Sequence, residues 1–176
     1  MKGLHVAFLS AAVTLGCFSA SEAADPAAET ATIVSSAFDW NGFYAGFGGS
    51  YSQVTGPAAT NQVYATGRAG GNKTIDSFVL GAEIYGSLRY DLTPGTTGVV
   101  VGAQGRAGVL ASDAVLLYGT LGGFYDFDFA WSATAGAGMG VRLTDNLSLD
   151  LQYQHQWDLD APYSADNFAT SLLWHF

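Results

Sequence analysis

Residues 147–160 alternate between apolar and polar positions almost without a break. Leu147, Leu149, Leu151, Tyr153, Trp157 and Leu159 fill the odd positions, with His155 the exception, and Ser148, Asp150, Gln152, Gln154, Gln156, Asp158 and Asp160 fill the even ones. A period of two places successive side chains on opposite faces of a β-strand. The pattern recurs along the chain. Residues 40–53 carry Phe43, Ala45, Phe47 and Tyr51 on one face. Residues 77–88 set Phe78, Leu80, Ala82, Ile84 and Leu88 against Val79, Glu83, Tyr85 and Ser87. Residues 99–110 set Val99, Val101, Ala103, Ala107 and Val109 against Gln104 and Arg106. Residues 115–125 form an apolar, glycine-containing segment. Residues 129–143 place Phe129, Trp131, the alanines, Met139, Val141 and Leu143 opposite Ser132, Thr134, three glycines and Arg142. A last alternating run, 167–176, ends the chain on Phe176.

These runs number seven, whereas a closed bacterial single-chain barrel takes an even number of strands. The short links 112–114 and 144–146 read as turns at one end of such a barrel, and counting back from them requires a further strand between Gln53 and Ser77. The best segment is 62–69, with Gly70-Gly71-Asn72-Lys73 as its turn. Eight strands of about 9–11 residues fit the region from 39 to 176, and ten fit more tightly. Pro26, Pro57, Pro94 and Pro162 all lie outside the alternating runs, as ladder hydrogen bonding requires.

Composition decides which kind of sheet this is. Apolar and aromatic residues make up 49% of the chain and charged residues 12%, a low charge density for a soluble surface. No run is long and apolar enough for a spanning helix of about 20 residues. A closed barrel accommodates both facts, because lipid-facing residues alternate with interior ones. The fold expected is therefore all-β, an eight-stranded transmembrane antiparallel β-barrel.

The N-terminal stretch has the form of a cleaved signal peptide: Met1-Lys2, an apolar run to Leu15, then Ser21-Glu22-Ala23 before a cut between Ala23 and Ala24. Cys17, the lone cysteine, belongs to that peptide, since Thr14 stands where a lipoprotein box usually has Leu. The expected organisation is 1–23 signal peptide, 24–38 flexible periplasmic leader and 39–176 barrel. The mature chain keeps a net charge of −9, from 5 basic and 14 acidic residues after loss of Lys2 and Glu22. That balance argues against nucleic acid as a partner.

Several segments then carry a family resemblance. Phe38-Asp-Trp-Asn-Gly-Phe-Tyr-Ala-Gly-Phe-Gly-Gly-Ser-Tyr51 resembles the first strand of small outer-membrane β-barrel proteins of the opacity or outer-membrane immunogenic type, common in Gram-negative α-proteobacteria. Phe78-Val-Leu-Gly-Ala-Glu83, Gly105-Arg-Ala-Gly108, Leu117-Tyr-Gly-Thr-Leu-Gly-Gly123 and Gly136-Ala-Gly-Met-Gly-Val141 resemble later strands in order. The Thr-Asp-Asn turn and the terminal Phe176 complete the series, and the second strand departs from the pattern. The resemblance implies an eight-stranded outer-membrane barrel with envelope-structural, adhesive or immunogenic roles, and it brings no catalytic residues. Partners implied are outer-membrane lipids and lipopolysaccharide, the barrel assembly machinery, and a host or surface partner met by the outer loops. The assembly signal is Phe168, Leu172, Trp174 and Phe176 on one face of the last strand.

Chemistry is sparse. Glu83, Arg106, Arg142 and Asp150 fall on interior registers, where charges are costly unless paired. Glu83 is expected to pair with Arg106 across the lumen, and Arg142 with Asp150 near the turn between them. Such pairs serve either as a structural plug, favoured because eight-stranded interiors are normally filled, or as the gate of a narrow solute pore. Trp40, Tyr44, Tyr125, Trp131, Tyr153, Trp157 and Trp174 suit the aromatic girdles. Asp126, Asp128, Asp158, Asp160 and Asp166 are expected in outer loops as a solvated acidic rim, since they lack a calcium-loop ligand pattern.

No cofactor, metal or catalytic set is expected. An outer-membrane lipid A-modifying enzyme is the remote alternative. Of the two mature histidines, His155 falls on the lipid-facing register without a His-x-Ser pattern and His175 lies at the chain terminus, so neither is marked as the base of a nucleophile. The runs Gly102–Gly108 and Gly136–Gly140 open no helix and so are not dinucleotide loops. Gly71-Asn-Lys-Thr74 carries Asn72 where a P-loop needs glycine.

Overall fold

The computed structural model describes residues 38–57, 59–128 and 131–176. The expected signal peptide, its cleavage point at Ala23 and Ala24, and the leader up to Ala37 lie outside the described residues. Eight strands follow one another: β1 (Gly42–Thr55), β2 (Gln62–Ile75), β3 (Phe78–Asp91), β4 (Thr97–Ser112), β5 (Val115–Asp126), β6 (Trp131–Arg142), β7 (Leu147–Asp158) and β8 (Ser164–His175). Each pairs antiparallel with the next, and β8 returns to β1, so the sheet closes in the order β1 to β8. Closure removes the unpaired edges that an open sheet would present. β1 starts and β8 finishes at one end of the barrel, here the proximal end. Turns at 76–77, 113–114 and 143–146 share that end, and the β1–β2, β3–β4, β5–β6 and β7–β8 connections are made at the distal end.

β2 is the strand that alternation located only in part. It runs fourteen residues, through the glycines that were expected to turn. The turn sits instead at Asp76-Ser77, where Asp76 adopts a positive φ of 54°. Gly70 stays in the ladder because it faces inward beneath the Tyr44 ring, in the space a Cβ would occupy. Glycine here makes room for a large neighbour.

Alternation holds around the circumference. Phe43, Phe47, Ile84, Leu88, Leu121 and Phe176 point outward and are more than 60% exposed. Tyr44, Ser52, Glu83, Arg106, Leu116, Asp150 and Leu173 point inward and are buried. An apolar outside around a polar inside is the arrangement a bilayer selects. Across β7, β8 and β1 one outward row reads Tyr153–Phe168–Tyr51 and the next, more distal, reads His155–Asp166–Gln53. Apolar surface on this side thus ends at an aromatic row. On β3, outward positions stay apolar from Phe78 to Tyr90.

Two residues expected in the girdle are elsewhere. Trp40 and Tyr44 are 4% and 2% exposed and lie in the lumen. Trp131, Tyr153, Trp157 and Trp174 are on the outside, each at least 40% exposed. Phe38, expected to belong to a flexible leader, is also buried. Phe38 and Trp40, ahead of β1, fill the apolar-lined mouth of the narrow barrel, while Tyr44 takes an inward register of β1 and reaches the Glu83 carboxylate.

Candidate functional site

Whatever this protein does inside its barrel must pass three tiers of side chains. The proximal tier is apolar: Phe38, Trp40, Val79, Leu116 and Tyr118 pack together, with Leu110 against them. The Phe38 ring stands edge-on to Trp40 and to His175 at 4.7 Å each. The Trp40 indole N–H donates to the Asp113 carbonyl at 3.2 Å, which ties the stopper to the β4–β5 turn. Its ring lies over Gly140, where a Cβ would approach it to 2.9 Å. His175 is held from the other side by Ser148, Nε2 to Oγ 2.9 Å.

The middle tier is a charged partition. Glu83 Oε2 accepts from Arg106 Nη2 at 2.6 Å and from the Tyr44 hydroxyl at 3.0 Å, while Oε1 accepts from Gln104 Nε2 at 3.0 Å. Asp150 Oδ2 accepts from the Tyr118 hydroxyl at 2.7 Å. The Arg106 guanidinium is sandwiched between the Tyr44 and Tyr118 rings, 4.8 and 4.9 Å from their centroids, close enough for a cation–π contribution on each face. Arg68 bridges the two carboxylates at longer range, 3.4 Å to Glu83 and 3.5 Å to Asp150. Gln104 and Gln152 continue the layer, joined at 3.3 Å. Two acids and two guanidinium groups leave the tier with no net charge, the condition under which buried ions are tolerable.

The local sequence explains why this layer forms. Glu83 and Gln104 are register partners on β3 and β4, and Arg106 follows Gln104 on the same face. Tyr118 reaches inward over Gly138, whose Cβ position its ring occupies. Asp150 comes from the strictly alternating β7. Six strands, β1 to β5 and β7, supply the charges and rings, and glycines such as Gly70 and Gly138 supply the space.

The distal tier centres on Arg89. It pairs with Asp126, and with Asp91 at 3.2 Å and Asp128 at 3.1 Å. Gln62 donates to Asp91 at 2.8 Å and accepts from the Tyr64 hydroxyl at 2.6 Å. Between the middle and distal tiers lies a cavity of about 40 Å³, lined by polar groups that include Ser50, Thr66, Arg68, Tyr85 and Gln154. That is room for a water or two, and it is no channel.

Of the four interior charges expected, Glu83, Arg106 and Asp150 meet in the partition. Arg142 does not. It pairs with Asp145 at 2.6 Å on the proximal turn, and the Trp40 ring over Gly140, the register partner of Asp150, fills the space between Arg142 and Asp150. Arg68 was missed, because β2 alternates too weakly to give its register. Arg89, just past the alternating run 77–88, lies within β3. Asp126, Asp158 and Asp166, expected in outer loops, lie in strands. Asp126 serves Arg89, and Asp166 accepts from the Tyr153 hydroxyl at 2.7 Å and contacts His155 Nδ1 at 2.8 Å on the outward face. Phe168, Leu172, Trp174 and Phe176 share the outward face of β8 and its end.

No family model matches the chain, and no curated protein matches it. Solved structures do. The fold is that of a small outer-membrane β-barrel. The attachment invasion locus protein Ail of Yersinia pestis is 14% identical, over 77% of this chain and 99% of that one, with a TM-score of 0.56. Neisserial surface protein A is 11% identical, over 76% and 97%, also at 0.56. A de novo designed transmembrane β-barrel is 20% identical, over 77% and 97%, at 0.51. At these identities the likeness establishes architecture. That a designed barrel shares it makes plain that the fold by itself assigns no role.

Proposed function

We propose that this chain is an integral barrel of a Gram-negative outer membrane whose lumen is sealed, and that it serves the envelope as a structural or surface-interaction protein. The observation that carries this reading is the double closure of the lumen: an apolar stopper at the proximal mouth and a charge-neutral partition at mid-height, with a cavity of only about 40 Å³ between the partition and the Arg89 tier. The apolar exterior supports the membrane, and the eight-stranded outer-membrane fold of Ail and neisserial surface protein A supports the compartment. In that setting the proximal end faces the periplasm and the distal end the outside. Lipid and lipopolysaccharide are the partners of the outward face, the assembly machinery reads Phe168, Leu172, Trp174 and Phe176, and a host or surface partner would be met by the distal loops. Those loops are short, so the strand ends and the mouth itself form most of what is presented outside. No catalytic assignment accompanies the reading.

A second reading, a narrow gated pore, draws on one feature: Arg68 holds its carboxylates at 3.4–3.5 Å, whereas Arg106 holds Glu83 at 2.6 Å, and the small cavity beside Arg68 gives that side chain somewhere to go. Single-channel conductance of the refolded chain in a planar bilayer separates the two. A folded, inserted and silent barrel is the expected result. Discrete ion-selective steps, altered by Glu83→Gln, would overturn the sealed-barrel reading in favour of the gate.

A further inference from the structure

The distal mouth holds a cup that the partition does not need. It is about 120 Å³ in volume and is lined by Gln62, Tyr64, Phe124, Gln156, Asp158 and Tyr163, with Ser132 and Asp126 beside them. Its location is built rather than incidental. Tyr163, from the β7–β8 loop, crosses to the β1–β2 loop and donates its hydroxyl to the Pro57 carbonyl at 3.3 Å. The crossing is allowed by Gly56, which has a φ of +140° and leaves the space that a Cβ would take from the Tyr163 ring. The two loops are thereby latched beside an open cavity.

The polar groups of the cup are selective in what they leave free. Both oxygens of Asp126 are engaged, one by Arg89 and one by the Asp128 N–H. Asp158 Oδ1 accepts the N–H groups of Asp160 and Ala161 at 2.8 and 2.9 Å, and Gln62 is bonded to Asp91 and Tyr64. The Gln156 amide and the Ser132 hydroxyl have no side-chain partner among the described residues and face the cavity. No lysine or arginine lines the cup among the described residues, and the carboxylates around it give the mouth a negative field. An anionic ligand is disfavoured on that ground. What remains is aromatic surface from Tyr64, Phe124 and Tyr163 with the Gln156 amide, the Ser132 hydroxyl and the second Asp158 carboxylate oxygen at its edge. Such a set matches a ring with an apolar face and hydroxyl groups around it. The volume, well below the ~300–1,000 Å³ of sites for drug-sized ligands, limits the occupant to one such ring.

We infer that the distal mouth is a binding site for a single uncharged sugar residue, held by aromatic contact and by the Gln156 amide. The inference does not depend on whether the lumen conducts, and the test below leaves conductance untouched.

The full chain is refolded into zwitterionic micelles, since sugar-headed detergents would occupy the cup. Glucose, galactose and N-acetylglucosamine are then titrated against it, with glucose 6-sulfate and glucosamine as charged controls, and binding is read by saturation-transfer NMR. The expected result is saturable binding of at least one uncharged sugar, weakened about tenfold or more, or ~1.4 kcal/mol, in Gln156→Ala and in Tyr163→Ala. Both substitutions lie at the mouth, and heat-dependent gel mobility verifies that each variant is folded. Glucose 6-sulfate is expected to bind at least tenfold more weakly than the best uncharged sugar. Absence of saturable binding by every uncharged sugar would overturn the assignment. So would equal or tighter binding of either charged control, or folded variants that bind as the unchanged chain does.

Discussion

Glu83 is the residue through which the partition can be measured. It is 2% exposed and accepts three hydrogen bonds, from Arg106, Tyr44 and Gln104. In Glu83→Leu the middle tier holds Arg68 and Arg106 against Asp150 alone. Removing one partner of a buried ion pair costs about 3–5 kcal/mol, because the remaining charge is left uncompensated. The orphaned Tyr44 hydroxyl and Gln104 amide add ~1–3 kcal/mol each when nothing replaces their acceptor, although neighbouring losses of this kind overlap. The single variant should therefore lose at least about 3 kcal/mol. In Glu83→Leu/Arg106→Met the charges balance again, with Arg68 facing Asp150, and the methionine keeps part of the packing between the two tyrosine rings. The double variant should recover about 2 kcal/mol or more relative to the sum of the singles, a coupling within the range seen for contacting residues. Reversible urea unfolding from phospholipid vesicles, followed by tryptophan fluorescence and gel mobility, gives the three free energies needed. A cost below about 1 kcal/mol for Glu83→Leu, or strictly additive effects, would refute the partition as an interdependent charge cluster.

Three further outcomes follow from the same geometry. Gly102→Ala should destabilise the barrel, because the atoms nearest the new Cβ belong to the Tyr85 side chain and lie too close for an unshifted contact; adding Tyr85→Ala should restore part of the loss in the same unfolding assay, and an unchanged Gly102→Ala barrel would show that the ring moves freely. Trp40→Ala should cost roughly 3 kcal/mol, at the lower end for a large buried aromatic, since the mouth is open to solvent, yet the barrel should remain silent in a bilayer because the partition stands above the stopper. Deletion of Phe176 should lower the amount of assembled barrel in cells, measured by surface labelling. The residue is 77% exposed and closes the β1–β8 seam through its N–H to the Phe43 carbonyl at 2.9 Å, and normal surface levels would remove it from the assembly signal.

Alternation and a low charge content together were enough to read the class of architecture, because in a barrel with lipid outside and side chains inside every residue's environment is set by its parity. β7 announced its outward leucines and inward amides directly, and β3 and β4 placed Glu83, Gln104 and Arg106 on the lumen side. The eighth strand followed from parity of another kind, the even count that closure demands, although the glycine-rich half of β2 was mistaken for its turn. Glycine has no side chain with which to declare a face, and the space it leaves is defined by Tyr44 on a neighbouring strand.

The partners of the charges lay beyond reach for a related reason. Parity says which way a side chain points, but the stagger of the closed sheet decides what it meets across the lumen. Asp150 and Arg142 are near in sequence and were expected to pair. Closure brings Tyr118 and Arg68 to Asp150 instead, and turns Phe38 and Trp40 back into the mouth that the strands create. Facing and the apolar belt are one-dimensional properties and were determined by the sequence itself, whereas the sequence left eight strands or ten and the closed sheet decided eight. The partition, the stopper and the distal cup join residues separated by as many as 137 positions along the chain, as Phe38 and His175 are in the stopper, and only closure of the barrel decided them.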